Sequence, residues 1–116
     1  KKKMGIQELK ISATCVRVPV YNAHSESITA QFEKSINEKT AKEILSKSPG
    51  IIVMDQPEKN IYPTPLIASG KDEVFVGRIR KNHCLENALD MWVVADNIRK
   101  GAALNAIQIA ENLIKQ

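Results

Sequence analysis

The stretch between Arg17 and Glu26 contains the side chains from which a catalytic site could be built. It carries His24, one of the two histidines in 116 residues, and Arg17 lies seven positions before it. A guanidinium presents a planar fork of donors that matches a carboxylate, and an imidazole exchanges protons near neutral pH. This pair therefore predicts a site that binds an acidic substrate while another group is deprotonated. On spacing alone, the alternative is a surface arginine and a turn histidine without a function.

The composition is typical of one folded domain over residues 1–116. Hydrophobic residues make up 43% and charged residues 26% of the chain, which is unlike a disordered segment. Aromatic residues are only 4% and the lysines are mostly spread out, so no nucleic-acid partner is expected. The net charge of +4 is compatible with small anionic ligands. No apolar run approaches the roughly 20 residues that span a bilayer, so we expect no membrane partner and a cytoplasmic protein.

The two cysteines predict neither a disulfide framework nor a metal site. Cys15 and Cys84 are 69 positions apart and form no CxxC pair. Cys15 lies in an apolar run, which predicts a buried core thiol. Cys84 follows His83, but this pair has too few neighbouring ligands to bind zinc. We therefore expect reduced thiols and no bound metal.

The hydrophobic pattern predicts five strands and two helices. Alternating or continuous apolar residues predict strands at 11–20, 25–32, 51–54, 73–80 and 88–95. Helical spacing predicts helices at 37–48 and 97–115, with Asn37 as a possible cap of the first. Because several strands follow each other without a helix between them, the order predicts an α+β fold. Its sheet would be mixed but mostly antiparallel, with helices packed on one face.

Finer details of the pattern give further expectations. His24 would lie exposed where the first strand gives way to the second. The second helix would bury an apolar stripe formed by Leu104, Ile107, Leu113 and Ile114. Lys1–Met4, followed by Gly5, is typical of the last turn of a helix, which indicates that part of the chain is missing upstream.

Three blocks of sequence, in order, resemble the C-terminal half of the aspartate-semialdehyde dehydrogenase family. The first is Ser12–Val20 followed by His24–Glu26, the second is Val76–Arg80, and the third is Asp96–Glu111. Together they extend over nearly the whole chain, so the match is more specific than any block alone. The resemblance implies a fold like the C-terminal domain of glyceraldehyde-3-phosphate dehydrogenase-like enzymes.

The resemblance also implies an activity. The family oxidises aspartate 4-semialdehyde with NADP and phosphate to 4-aspartyl phosphate, or runs the reverse, on the route to lysine, threonine and methionine. Its members are cytoplasmic dimers or tetramers. A cysteine thiolate attacks the aldehyde, a hydride passes to NADP, and phosphate cleaves the resulting thioester. NADP, the semialdehyde, the acyl phosphate and phosphate are therefore the expected ligands.

Three residues of this chain match functional positions of the family. The resemblance implies that Arg17 binds the substrate carboxylate and that His24 is the general base, in agreement with the chemistry of their side chains. It places Asn97 at the nicotinamide end of NADP, whereas the residue type alone fits a helix N-cap equally well. Ala23 departs from the glycine that the family commonly has before its histidine.

Two further features give expectations about subunit contacts. Arg78 and Arg80 should face solvent or a neighbouring subunit rather than the substrate. The loop at 62–65 resembles a family stretch associated with subunit contacts.

The resemblance leaves essential parts of the enzyme outside this chain. The family's chain is about three times as long, with an N-terminal nucleotide-binding domain and a nucleophilic cysteine in a context that matches neither Cys15 nor Cys84. We expect this chain to need that N-terminal half and to be inactive by itself. The alternatives are a related reductase of N-acetylglutamyl phosphate, and a free-standing dimerisation or interaction module without catalysis. Arg17, His24 and Asn97 together favour an enzyme origin, because packing alone requires none of them.

Overall fold

The computed structural model describes residues 5–114. The strands are β1 (His24–Gln31), β2 (Ile51–Val53), β3 (Val74–Lys81) and β4 (Ala88–Ala95). The helices are α1 (Glu38–Lys47), α2 (Pro65–Ala68) and α3 (Leu104–Ile114). A 3-10 turn spans Pro57–Lys59, and a π-helical turn at Arg99–Ala103 precedes α3. The interpretation of Lys1–Met4 as a helix end lies outside the described residues.

The four strands form one mixed sheet in the order β1-β4-β3-β2. β4 pairs antiparallel with both of its neighbours, and His24 of β1 lies opposite Ala95 of β4. β2 pairs parallel with β3. The predicted α+β class and the mostly antiparallel sheet are therefore confirmed, and β4 is a central strand as its continuous apolar run predicts.

Two apolar clusters lie on opposite faces of the sheet, because successive residues of a strand point to opposite sides. With α1, one face buries Ala41, Val76, Ile79 and Leu89. With α2 and the turn before β1, the other face buries Ala23, Ala68, Phe75 and Val94. The prediction that helices pack on one face holds for α1. The four-residue α2 covers part of the second face.

Helix α1 forms where local signals coincide. Asn37 caps it, since its Oδ1 accepts a hydrogen bond of 2.8 Å from the Thr40 amide. Glu38 in the first turn accepts a bond of 2.9 Å from the Lys81 amide, which ties the helix to the end of β3. Lys47 in the last turn complements the helix dipole. The predicted helix and its cap are confirmed.

The predicted strand at 11–20 is wrong. Residues 11–20 have no regular secondary structure, and Val16 is 77% exposed. Cys15 is also exposed, so the expectation of a buried core thiol is wrong too. A strand is stable only when a neighbouring strand completes its backbone ladder, and the sheet of residues 5–114 offers none to this segment.

The C-terminal helix forms, but its apolar stripe is not covered. Ile107, Leu113 and Ile114 are 55%, 69% and 84% exposed, and no residue of α3 is buried. Helical spacing therefore identified the helix correctly and its burial incorrectly, because periodicity reports which face could be buried and not what covers it. Between residues 5 and 114, no helix is long and apolar enough to cross a membrane.

Candidate functional site

His24 is the first residue of β1 and is exposed to solvent. The residue before it, Ala23, has a φ of 77°, a left-handed conformation that is unfavourable for a residue with a Cβ. This conformation accounts for the glycine that the family resemblance implies at the position. Ala23 is only 6% exposed and packs in the same cluster as Phe75 and Val94. The buried Ala23 thus precedes an accessible imidazole at one end of the sheet.

Asn97 lies at the same end of the sheet as His24. Its Oδ1 accepts a hydrogen bond of 3.0 Å from the backbone N–H of Ala23, across 74 residues of sequence. Since β1 and β4 place His24 opposite Ala95, the end of β4 brings Asn97 beside the histidine turn. The structure therefore brings together two of the three predicted site residues.

Asp96, and not Asn97, bonds to the backbone amides at the start of the π-helical turn that precedes α3. The carboxylate of Asp96 accepts hydrogen bonds of 2.9 Å from the Ile98 amide and 3.2 Å from the Arg99 amide. Its second oxygen accepts a bond of 2.8 Å from the Gly70 amide. The alternative that treated Asn97 as an N-cap is therefore wrong.

The sequence pattern assigned no role to Asp96, although its carboxylate accepts three backbone hydrogen bonds near the histidine turn. Asp96 is 4% exposed, and within residues 5–114 it is the one charged residue that is buried. The hydrogen bonds from Gly70, and then those from Arg99 and Ile98, hold the pKa of its carboxyl below the ordinary value. An aspartate at the end of a strand and just before a helical pattern was the available signal.

Three segments meet at this end of the sheet, and we call them the histidine corner: residues 22–24, 69–72 and 96–99. Besides the bonds of Asp96 and Asn97, the side-chain amide of Asn22 donates to the Ser69 hydroxyl at 3.2 Å. Arg99 forms an ion pair with Asp72, which raises the pKa of the arginine. The corner is therefore cross-linked by side chains from all three segments.

Arg17 does not lie in such a framework. It is exposed, in the segment without regular secondary structure. None of the ion pairs within residues 5–114 involves it. The described contacts thus hold the predicted base and Asn97 in place but do not position the predicted carboxylate-binding arginine.

Two further arginines, Arg78 and Arg80, lie on the exposed side of β3. Arg78 is exposed and has a φ of 54° at the bulge between β3 and β4. The guanidinium of Arg80 donates to the Arg78 carbonyl at 2.9 Å and lies 3.6 Å from the carboxylate of Asp90. Arg80 therefore contacts β4 as well as solvent. A subunit contact at either residue stays a prediction.

The loop at 62–65 is held within the chain. Thr64 caps α2, and the indole N–H of Trp92 donates to the Pro63 carbonyl at 3.1 Å. Its proposed part in subunit contacts also stays a prediction. Over residues 5–114, no three His, Cys, Asp or Glu side chains gather closely enough to hold a metal ion.

The sheet and helices described above are those of a semialdehyde dehydrogenase domain. The chain belongs to this family, because residues 1–100 match the model described as "Semialdehyde dehydrogenase, dimerisation domain". Among its relatives are the aspartate-semialdehyde dehydrogenases of Aquifex aeolicus, 58% identical over 116 residues, and of Campylobacter jejuni, 51% identical over 109 residues. These alignments cover 100% and 94% of this chain, but 34% and 32% of the relatives.

Solved structures show the same relationship. A crystal structure of aspartate semialdehyde dehydrogenase II from Vibrio cholerae, complexed with ASA, is similar with a TM-score of 0.81 and 40% identity. The similarity covers 89% of this chain and 30% of that one. A probable aspartate-semialdehyde dehydrogenase from Pseudomonas aeruginosa is similar with a TM-score of 0.73 and 36% identity, over 84% of this chain and 29% of that one. The chain thus spans about a third of the length of the proteins it matches.

Proposed function

We propose that this chain is the dimerisation part of an NADP-dependent aspartate-semialdehyde dehydrogenase. The reaction would be the phosphorylating oxidation of aspartate 4-semialdehyde to 4-aspartyl phosphate, and its reverse, in the cytoplasmic biosynthesis of lysine, threonine and methionine. The observation that carries the proposal is the exposed His24, held in the histidine corner of a chain whose full length aligns with the Aquifex aeolicus relative.

His24 acts as the general base in this proposal. It accepts the proton of the nucleophilic thiol, because a thiolate and not a thiol attacks an aldehyde. The exposed imidazole at the start of β1 is accessible to a thiol from another part of the enzyme. Neither Cys15 nor Cys84 is assigned this role, so the nucleophile comes from the N-terminal half, which would also bind the dinucleotide.

Arg17 binds the carboxylate of the substrate. A bidentate guanidinium–carboxylate pair fixes both the position and the rotation of a small acid. Holding the carboxylate at one end of the semialdehyde would orient the aldehyde carbon at the other end toward the thiolate. The exposed guanidinium is free of ion pairs within residues 5–114 and is thus available for an anionic ligand.

When bound, NADP would supply the acceptor for the hydride that leaves the substrate carbon. Asn97 fits a contact to the nicotinamide carboxamide, because a side-chain amide both donates and accepts hydrogen bonds. Its Oδ1 already accepts the bond from Ala23, so the amide N–H groups are the atoms assigned to the cofactor.

The test uses a chimera in which this chain replaces the matching third of the Aquifex aeolicus relative. We expect phosphate-dependent NADPH formation from aspartate semialdehyde by the chimera and none by the 116-residue chain alone. N-acetylglutamate semialdehyde serves as the control substrate for the related reductase and should not be oxidised. A folded chimera without activity would refute the proposal. Turnover by the short chain alone would require Cys15 or Cys84 to be the nucleophile.

One observation favours a second function, self-association without catalysis. The exposed apolar residues of α3 form a surface that would be buried in an oligomer. Sedimentation of the isolated chain distinguishes the two functions. A monodisperse, fully folded oligomer combined with an inactive chimera would favour the second function over the first.

A further inference from the structure

We propose that Asn97 is a positioning residue that sets the direction of His24, in addition to any contact with a cofactor. This inference rests on the proposed function, because it concerns the base of that reaction. It assigns the role to one atom, the side-chain oxygen Oδ1, which accepts the hydrogen bond from the Ala23 amide at 3.0 Å.

The backbone before His24 needs such a restraint. Ala23 has a φ of 77°, which an alanine does not adopt without support from its surroundings. The bond to Asn97 joins the amide of this strained residue to the end of β4. Because His24 follows directly, the conformation of Ala23 sets where β1 starts and where the imidazole points.

Asn97 is itself held firmly enough to act on the turn. The preceding Asp96 is buried and accepts three backbone hydrogen bonds, from Gly70, Ile98 and Arg99. The backbone on the other side of Asn97 is thus fixed at the start of the π-helical turn before α3. Asn97 connects this rigid point to the histidine turn.

Asn37 provides a matched comparison within the same chain. Its Oδ1 also accepts one backbone hydrogen bond, at 2.8 Å from Thr40, but the partner is three residues away and caps α1. Each asparagine therefore pairs one backbone N–H group. Only Asn97 does so across 74 residues and beside His24. A loss of stability common to both can then be separated from an effect on His24.

The decisive variants separate the oxygen of Asn97 from its N–H donors. Asn97→Asp keeps an acceptor for the Ala23 amide and removes the donors, while Asn97→Leu removes both at similar volume. Asn97→Ser is a second variant without the bond, because its hydroxyl is too short to reach Ala23. Asn37→Leu is the control for stability.

The experiment measures kcat and the KM for NADP in the active chimera, together with hydrogen exchange of the Ala23 amide. In Asn97→Leu and Asn97→Ser we expect kcat to fall about tenfold to a hundredfold, as for a displaced catalytic group, and the Ala23 amide to exchange faster. Asn97→Asp should keep the slow exchange of the Ala23 amide, and its kcat should fall less than in Asn97→Leu, because only the donors assigned to the cofactor are removed. Asn37→Leu should lower the melting temperature without changing kcat.

Two results would overturn the inference. One is a kcat in Asn97→Asp as low as in Asn97→Ser, which would assign the effect to the donors. The other is fast exchange of the Ala23 amide in the unmutated protein. If the unmutated chimera is inactive, the proposed function fails, while the exchange measurement still decides whether Asn97 holds the turn.

Discussion

His24 and Arg17 are seven residues apart in the sequence, yet the structure holds His24 in the sheet and leaves Arg17 outside it. His24 starts a strand of the sheet and follows a buried residue that Asn97 holds by a hydrogen bond. Arg17 lies in an exposed segment that pairs with no strand of residues 5–114. The difference teaches that the two halves of the predicted site depend on different contacts. The described chain itself builds the histidine half, and the arginine half has the right chemistry without the support.

The largest expected effect tests the histidine half. His24→Ala in the active chimera should lower kcat by roughly a hundredfold to ten-thousandfold, the usual contribution of a positioned base. His83→Ala is the matched control, since His83 is the other histidine of the chain and lies in the turn between β3 and β4. Equal activity of the two variants would remove His24 from the mechanism.

A smaller effect tests the arginine half. Arg17→Lys should lower kcat/KM for aspartate semialdehyde by about tenfold to a hundredfold, because an ammonium cannot replace the bidentate guanidinium and loses a charge-assisted hydrogen bond. Arg78→Lys, at an exposed position of β3, is the control and should leave kcat/KM unchanged. An unchanged kcat/KM in Arg17→Lys would show that another group binds the carboxylate.

The accessibility of the arginine segment can be measured directly. Trypsin should cleave the isolated chain after Arg17 before it cleaves after Arg78, which lies within β3, because proteases cut segments that are not held in a sheet. In the chimera, cleavage after Arg17 should become slower if the rest of the enzyme covers the segment. Cleavage at the same rate in both proteins would indicate that the segment with Arg17 is equally accessible in the whole enzyme.

The smallest expected effect concerns acid stability at the histidine corner. The lowered pKa of Asp96 means that its carboxylate stabilises the folded state above the ordinary value of 3.8, and that this contribution is lost as the pH falls through the lower folded value. Asp96→Asn should therefore show a shallower loss of unfolding free energy below about pH 4, measured by urea titration. Glu58→Gln, on an exposed turn, is the control for the loss of one carboxylate charge.

Local signals account for the parts of the fold that the sequence predicted well. The alternation and apolar content of 88–95 matched β4 at both ends, and Asn37 capped α1 as expected. Each signal lies within a few residues of the feature it specifies. The failures have the opposite character, because a strand at 11–20 and a buried face on α3 both require a partner that local pattern does not name.

The candidate site shows the same division. The chemical types of Arg17, His24 and Asn97 could be read from the sequence, and so could the exposed place of His24. The sequence could not show that Asp96 bonds to the amides of Ile98 and Arg99 while Asn97 bonds to Ala23, because both residue types favour helix caps. What decides between them is the position of Ala23, which is remote in sequence and adjacent only after the sheet has formed.

The pairing of β1 with β4 also determines when the histidine turn can form. The bond between Ala23 and Asn97 closes a long loop, and loops of this length close late because their ends must first be brought together by other contacts. During synthesis on a ribosome, His24 emerges before the residue that orients it, which follows only after β2, β3 and β4. The order of translation thus leaves the base unpositioned until the sheet is nearly complete.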